Sequence, residues 1–198
     1  MPKKIWIVGS SIIKRGFVHA RSRPGGSQLG LGRIGASLWW QGKGGMRNIH
    51  LQPTIRTLLK VEDPPQMLIL HCGGNDLVLK GLGHLRVALK ESVLWLQETF
   101  PGVLIVWSHV LPRLHWRGSN KPEATEKARR RLNAALSGFI LKRGGAFIQY
   151  PDITLDEKFF DSDQVHLSSL GNDIFVNVLQ GAIEAFLTSN ARVFPELR

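Results

Sequence analysis

Five short, mostly apolar runs recur along the chain and are separated by longer polar stretches. Runs of four or five such residues are typical of strands buried on both faces of a parallel sheet. The predicted strands are Ile5–Val8, Ala36–Trp40, Met67–His71, Val103–Trp107 and Ala146–Gln149.

Between these runs the apolar positions recur at helical spacing. Leu85, Leu89 and Val93 follow one another at intervals of four, which places them on one face of a helix. Pro122 suits the first turn of a later helix, and Gly144-Gly145 ends it. The predicted helices are Ile12–His19, Asn48–Lys60, Leu82–Phe100, Pro122 to the residue before Gly144, and Leu170–Leu187, while residues 21–35 predict a glycine-rich basic loop.

Strands that alternate with helices predict an α/β fold, because parallel strands need crossover helices and these cover both faces of the sheet. The expected architecture is a three-layer α/β/α sandwich around a five-stranded parallel sheet. The 198 residues suffice for one domain, and no break in composition or internal repeat divides them. We therefore expect a single domain over residues 1–198, with its core at about residues 4–188.

The sequence also limits the compartment. Cys72 is the only cysteine, which excludes an intramolecular disulfide and a four-cysteine zinc site. The apolar runs are too short to cross a bilayer, and Met1–Lys4 lead into no signal-peptide pattern. We expect an intracellular, cytoplasmic protein without a transmembrane segment.

Charge is distributed unevenly. The net charge is +11, and residues 1–60 contain eleven Lys and Arg but no Asp or Glu, whereas the remaining residues contain fifteen of each sign. Such asymmetry indicates an anionic partner, either nucleic acid, a phospholipid head group or an acidic substrate, although a basic surface can also serve solubility alone. Lys127–Arg131 form a basic helical stretch that is either a solvated face or a second nucleic-acid contact.

Polar residues follow four of the predicted strands. In open α/β sheets the functional groups gather at the carboxyl ends of the strands, so these segments are the candidates for chemistry. They are Gly9-Ser10-Ser11-Ile12, Gly42–Arg47, Gly73–Asp76 and Asp161–Ser168.

The four segments, in this order, resemble the four sequence blocks of the SGNH (GDSL-type) hydrolase superfamily. The most specific match is Asp163-x-x-His166 followed by Leu167-Ser168-x-x-Gly171-Asn172, and Gly74-Asn75-Asp76 is nearly as specific. More narrowly, the chain is similar to SGNH-like domains carried by fish and amphibian retrotransposons. The resemblance implies a flavodoxin-like sheet and a serine esterase or deacylase that needs no cofactor and no metal.

Ester hydrolysis requires a nucleophile, a base, a group that orients the base, and donors for the oxyanion. Ser11 is the expected nucleophile, His166 the general base and Asp163 its partner. The expected oxyanion donors are the backbone N–H groups of Ser11 and Gly45 and the side-chain amide of Asn75. Gly44 is the alternative to Gly45, because the adjacent glycines leave the register open by one. Further substrate contacts are expected from Ser10, Gly44, Arg47 and His71, although packing also explains His71.

Each motif has a plainer explanation. A Gly-Ser-Ser turn is common, and Asn75-Asp76 and Asp163 can each cap the following helix. The family's first block usually reads Gly-Asp-Ser, and here Ser10 occupies the aspartate position, which removes a polar anchor beside Ser11. Gly30-x-Gly-x-x-Gly35 matches a dinucleotide-binding pattern, but it follows no predicted strand and no acid occurs before Glu62, which argues against that cofactor.

Two functional hypotheses follow. The first is a serine esterase or deacylase acting on a small acyl ester, with an anionic substrate favoured by the basic charge. The alternative is a weakly active or inactive SGNH-fold module of a mobile element that binds nucleic acid through its basic N-terminal third. The oligomeric state is left open by the sequence.

Overall fold

The computed structural model describes residues 1–196 and contains one sheet of six strands, all pairs of neighbours parallel, in the order β2-β1-β3-β4-β5-β6. This order is the flavodoxin-like one extended by an edge strand. The strands are β1 (Lys3–Gly9), β2 (Ala36–Gly42), β3 (Met67–His71), β4 (Leu104–Ser108), β5 (Ala146–Ile148) and β6 (Val193–Phe194).

Within residues 1–196, five α-helices cover the two faces of the sheet: α1 (Ser11–Arg21), α2 (Leu51–Leu58), α3 (Leu82–Thr99), α4 (Pro122–Leu141) and α5 (Ser169–Thr188). One apolar cluster packs α1 and α5 on one face, and a second packs α2, α3 and α4 on the other. The predicted α/β/α sandwich is therefore confirmed. None of the helices within residues 1–196 is long and apolar enough to cross a membrane.

The sheet has six strands rather than the five predicted. The additional strand, β6, is two residues long and pairs with β5, and so short a segment carries no periodic pattern in the sequence. Phe194 packs on α5, where a Cβ on Gly181 would lie 2.6 Å from its ring, so the glycine makes room for this strand.

The loop expected over residues 21–35 begins after Arg21, the last residue of α1, and it has regular local structure. It contains two 3-10 turns, Gly26–Gln28 and Leu31–Ile34, and Leu31 is fully buried. The side-chain amide of Gln28 accepts from the backbone N–H of Leu38 at 2.8 Å and donates to its carbonyl at 2.9 Å. Gln28 thereby satisfies backbone groups on the free edge of β2, as a neighbouring strand would.

Candidate active site

Three residues predicted to act together lie in one hydrogen-bonded row. Ser11 is the first residue of α1, directly beyond β1, and His166 and Asp163 precede α5. His166 Nε2 lies 2.8 Å from Ser11 Oγ, and His166 Nδ1 lies 2.5 Å from Asp163 Oδ2. The fold thus brings Ser11 into contact with a histidine 155 positions away in the sequence.

The Asp163 carboxylate is held by four donors. Its Oδ1 accepts from the backbone N–H groups of Val165 at 3.0 Å and His166 at 2.9 Å, and its Oδ2 accepts from the His166 ring and from Arg117 Nη2 at 3.2 Å. Burial alone would raise the pKa of this carboxyl, but the hydrogen bonds from His166 and Val165 outweigh it and hold the pKa below its ordinary value. Asp163 therefore stays ionised and keeps the proton on Nδ1 of His166.

The residues after His166 fix this loop to α5. Ser168 is the N-cap, and its Oγ accepts from the N–H of Gly171 at 3.1 Å and donates to the carbonyl of Lys158 at 2.6 Å. The Asn172 amide donates to the carbonyls of Leu167 and Ser168, each at 3.0 Å. The polar residues of the Leu-Ser-x-x-Gly-Asn motif thus serve to position the histidine.

The candidate oxyanion donors come from two neighbouring loops. Gly44 and Gly45 form the centre of a turn that Met46 N–H closes onto the carbonyl of Lys43 at 3.2 Å, with Gly45 at a φ of +67°. Asn75 Nδ2 donates to the carbonyl of Met46 at 3.1 Å, which places its amide beside this turn. Within residues 1–196 neither the Gly44 nor the Gly45 N–H has a hydrogen-bond partner, so hydrogen bonding does not decide between the two glycines as the candidate oxyanion donor.

No protein-family model matches this sequence, and no curated protein sequence matches it either. Solved structures do match. A member of the lipolytic G-D-S-L family from Veillonella parvula superposes with a TM-score of 0.70 at 15% identity, over 94% of this chain and 99% of the other. The chain has the SGNH hydrolase fold.

Two further solved structures match this chain equally well. A GDSL-like lipase from Bacteroides thetaiotaomicron has a TM-score of 0.69 at 17% identity, over 93% of this chain and 89% of the other. A family 3 carbohydrate esterase from Clostridium thermocellum has a TM-score of 0.68 at 19% identity, over 94% and 98%. These likenesses extend over nearly the whole chain at low identity, and they establish the fold.

The serine that replaces the usual aspartate of the SGNH first block is almost buried. Ser10 is 5% exposed, and its side chain has no hydrogen-bond partner within the described residues, although its backbone N–H donates to the carbonyl of His71 at 3.1 Å. It lines a small internal cavity of about 10 Å³, roughly the room for one water molecule, together with Arg113. An aspartate at position 10 would therefore lie at a cavity that Arg113 also lines.

The remaining predicted contact residues differ in their surroundings. The His71 ring is buried, with Nδ1 2.9 Å from Ser108 Oγ, and burial lowers the pKa of His71 to about 3. The Ser108 hydroxyl in turn lies 2.7 Å from the Tyr150 hydroxyl. This arrangement favours the packing explanation of His71 over a contact with substrate. Arg47 is half-buried at the end of the Gly44–Gly45 loop.

Sequence reasoning missed Arg113, and it named Asp76 in the Gly74-Asn75-Asp76 motif without giving it a role at the site. Asp76 is fully buried, and its Oδ2 accepts from the backbone N–H of Asn48 at 3.0 Å, which ties the Asn75 loop to the segment after the glycine turn. Arg113 Nη2 donates to Asn75 Oδ1 at 3.1 Å. Arg113 lies beyond the end of β4, the predicted inner strand whose carboxyl end was not considered, but the apolar segment between them gives no signal that it reaches Asn75.

Proposed function

We propose that the chain is a serine esterase or deacylase that hydrolyses a small acyl ester. The observation that carries the proposal is the continuous hydrogen-bonded row from Ser11 Oγ through both nitrogens of His166 to Asp163. A serine hydroxyl is a weak nucleophile at neutral pH unless a base takes its proton, and a histidine needs a fixed partner to present the correct nitrogen.

In the acylation half, Ser11 Oγ attacks the ester carbonyl while His166 Nε2 takes the hydroxyl proton. The negative charge that develops on the carbonyl oxygen is stabilised by the N–H groups of Ser11 and Gly45 and by Asn75 Nδ2–H. Collapse of the tetrahedral intermediate breaks the bond to the alcohol oxygen, which receives the proton from His166. The acyl group is then bonded to Ser11.

In the deacylation half, His166 removes a proton from a water molecule that attacks the acyl carbonyl. The same donors stabilise the second oxyanion, the bond to Ser11 Oγ breaks, and His166 returns the proton to that oxygen. Asp163 remains ionised throughout and stabilises the imidazolium, as its lowered pKa allows. The products are one carboxylic acid and one alcohol.

Positive side chains favour an anionic substrate. Arg47 follows β2 and Arg117 follows β4, so both come from the carboxyl edge of the sheet, where the candidate site lies. A negatively charged ester such as a succinyl ester should therefore have a lower KM than the matching neutral ester. The difference should shrink as salt is raised, because screening weakens exposed charge interactions. Equal KM values at low salt would contradict this preference.

The esterase proposal is tested by turnover of a p-nitrophenyl ester series from acetyl upward. Ser11→Ala should lower kcat by about 10⁴-fold or more, as removal of a nucleophile does. Ser10→Ala is the matched control, because it deletes a neighbouring hydroxyl without a hydrogen-bond partner in the described part of the chain, and it should retain most activity. Equal background rates in wild type and both variants would refute the proposal.

The second candidate, a nucleic-acid-binding module, is favoured by exposed cations on α4. Lys127, Arg130 and Arg131 are exposed there, whereas Arg129 is paired with Glu126 and donates to the carbonyl of Val110 at 2.8 Å. Binding of a single-stranded oligonucleotide should weaken steeply with salt and be reduced by Lys127→Gln, Arg130→Gln and Arg131→Gln together. Retention of such binding in Ser11→Ala would show that it is independent of hydrolysis.

A further inference from the structure

Both the nitrogen and the oxygen of the Asn75 side-chain amide form hydrogen bonds. Its Nδ2 donates to the carbonyl of Met46 at 3.1 Å, and its Oδ1 accepts from Arg113 Nη2 at 3.1 Å. If the amide were turned over, its NH₂ group would face the guanidinium, which has only donors, and its oxygen would face a carbonyl. Both contacts would become repulsive, so they fix one orientation, with NH₂ toward the turn that contains Gly45.

Arg113 is itself fixed in place. Its guanidinium lies over the ring of Trp116, with 4.9 Å from Cζ to the ring centroid, and Trp116 is 3% exposed. A Cβ on Gly74 would lie 2.8 Å from Nη2, so the glycine before Asn75 makes room for the guanidinium. The arginine therefore reaches the amide from a rigid support.

Arg113 forms no ion pair within residues 1–196, since no carboxylate lies within 4.0 Å of it, and the charge of Asp163 acts on it only from farther away. Burial, and then the charge of Arg117, lower the pKa of Arg113 to about 10, which still leaves it protonated at neutral pH. A cation bonded to the amide oxygen polarises the amide and makes its N–H groups stronger donors.

We propose that Arg113 is a positioning residue that acts through Asn75, holding the amide so that Nδ2 faces the oxyanion and strengthening it as a donor. The inference rests on the proposed esterase function in one respect, because that function makes Asn75 an oxyanion donor. Arg113 is not placed in contact with the reacting atoms. Its effect is therefore expected in kcat and only through Asn75.

The kinetic test compares Arg113→Met, Asn75→Ala and the double variant on p-nitrophenyl acetate. Arg113→Met should lower kcat about 10- to 100-fold, less than the loss of the donor itself, with KM changed less than about twofold. In the Asn75→Ala background the same substitution should cause little further loss, because the group it acts through is gone. Multiplicative losses in the double variant, or a rise in KM without a fall in kcat, would overturn the inference.

A matched control separates positioning from a general loss of packing. Arg56 also lies over a tryptophan, with Cζ 5.7 Å from the ring centroid of Trp95, but on α2 and outside the site. Arg56→Met removes the same kind of cation–π contact and should leave kcat unchanged. A fall in kcat as large as that of Arg113→Met would assign the effect to packing.

A second measurement does not depend on turnover. The two Asn75 Nδ2 protons give one pair of NMR signals on a single nitrogen, identified by its absence from Asn75→Ala. In Arg113→Met this pair should shift and broaden, because the amide loses its fixed orientation, while the pair from the buried Asn172 amide should stay in place. An unchanged Asn75 pair would overturn the inference, whereas absence of turnover in the wild type with a shifted pair would refute the esterase function alone.

Discussion

Asp76 links the two loops that supply the candidate oxyanion donors, and it does so as a buried carboxyl. It has no exposed surface, and its Oδ2 accepts from the backbone N–H of Asn48, while Oδ1 has no partner among residues 1–196. Burial raises the pKa of Asp76, and the hydrogen bond from Asn48 opposes this only in part. The folded protein thus binds the Asp76 proton more tightly than the unfolded chain does.

Two substitutions separate the hydrogen bond from the charge. Asp76→Ala removes the acceptor and leaves the buried N–H of Asn48 unpaired, which should lower the free energy of unfolding by about 1–3 kcal/mol. Asp76→Asn keeps an oxygen acceptor and cannot ionise. Because the pKa of Asp76 is raised in the folded protein, Asp76 contributes fully to the free energy of unfolding below the unfolded pKa of 3.8. This contribution falls as the pH rises through the folded pKa. The free energy of unfolding of Asp76→Asn should therefore rise relative to that of the wild type as the pH increases.

The assay is urea unfolding followed by tryptophan fluorescence at several pH values between about pH 4 and pH 8. Asp152→Asn, at an exposed aspartate, is the control for the general effect of losing one negative charge. A constant difference between wild type and Asp76→Asn across this range would refute the reasoning about the pKa. An alanine variant as stable as the asparagine variant would refute the reasoning about the hydrogen bond.

Three further predictions concern the site. Asp163→Asn should lower kcat on p-nitrophenyl acetate by about 10⁴-fold, since an amide no longer holds the required histidine tautomer, and near-wild-type kcat would contradict the triad. Ser10→Asp should raise kcat, with the gain absent in an Arg113→Met background; a gain that persists there rules out their pairing in the shared cavity. Gly9→Ala should destabilise by about 1–3 kcal/mol in urea, because its Cβ would lie 2.3 Å from a β3 carbonyl oxygen, whereas Gly32→Ala, which meets nothing within 4 Å, should not.

The strands could be predicted because the parallel sheet buries both faces of its inner members. Met67–His71 is buried at every position, so its apolar run begins and ends where the strand does. One helix was predicted over residues 48–60, whereas the structure has a 3-10 turn at Asn48–His50 followed by α2. Of the expected apolar positions Ile55, Leu58 and Leu59, the first two are buried and the third is half-buried, but hydrophobic spacing does not distinguish a tight turn from the first turn of a helix.

The candidate site could be located from the strand ends. The residues that hold its side chains in place, such as Arg113, could not be predicted in this way. Ser11 and Asn75 come within four residues of the ends of β1 and β3, and His166 comes three residues before α5, where polar residues stand out from apolar neighbours. Arg113 follows Val110-Leu111-Pro112, an apolar segment that hides its approach to the site. Its contact with Asn75 depends on how two loops pack, and no local pattern records that.

The charge asymmetry of the sequence is in part a property of the fold rather than of a partner. Lys4 pairs with Glu62 and Asp63, Arg15 with Asp161, and Arg33 with Glu184. Arg23 likewise pairs with an acidic residue of α5 at 3.1 Å. Four of the eleven cations in residues 1–60 are therefore matched by acids from later elements, which the separate counts for the two segments conceal. Each exposed pair contributes little stability, because water and salt screen the attraction between its charges. The ion pairs matter more for binding, because they leave fewer unpaired cations for an anionic partner. Within the described residues, the unpaired cations include Arg47 beside the candidate site and those exposed on α4.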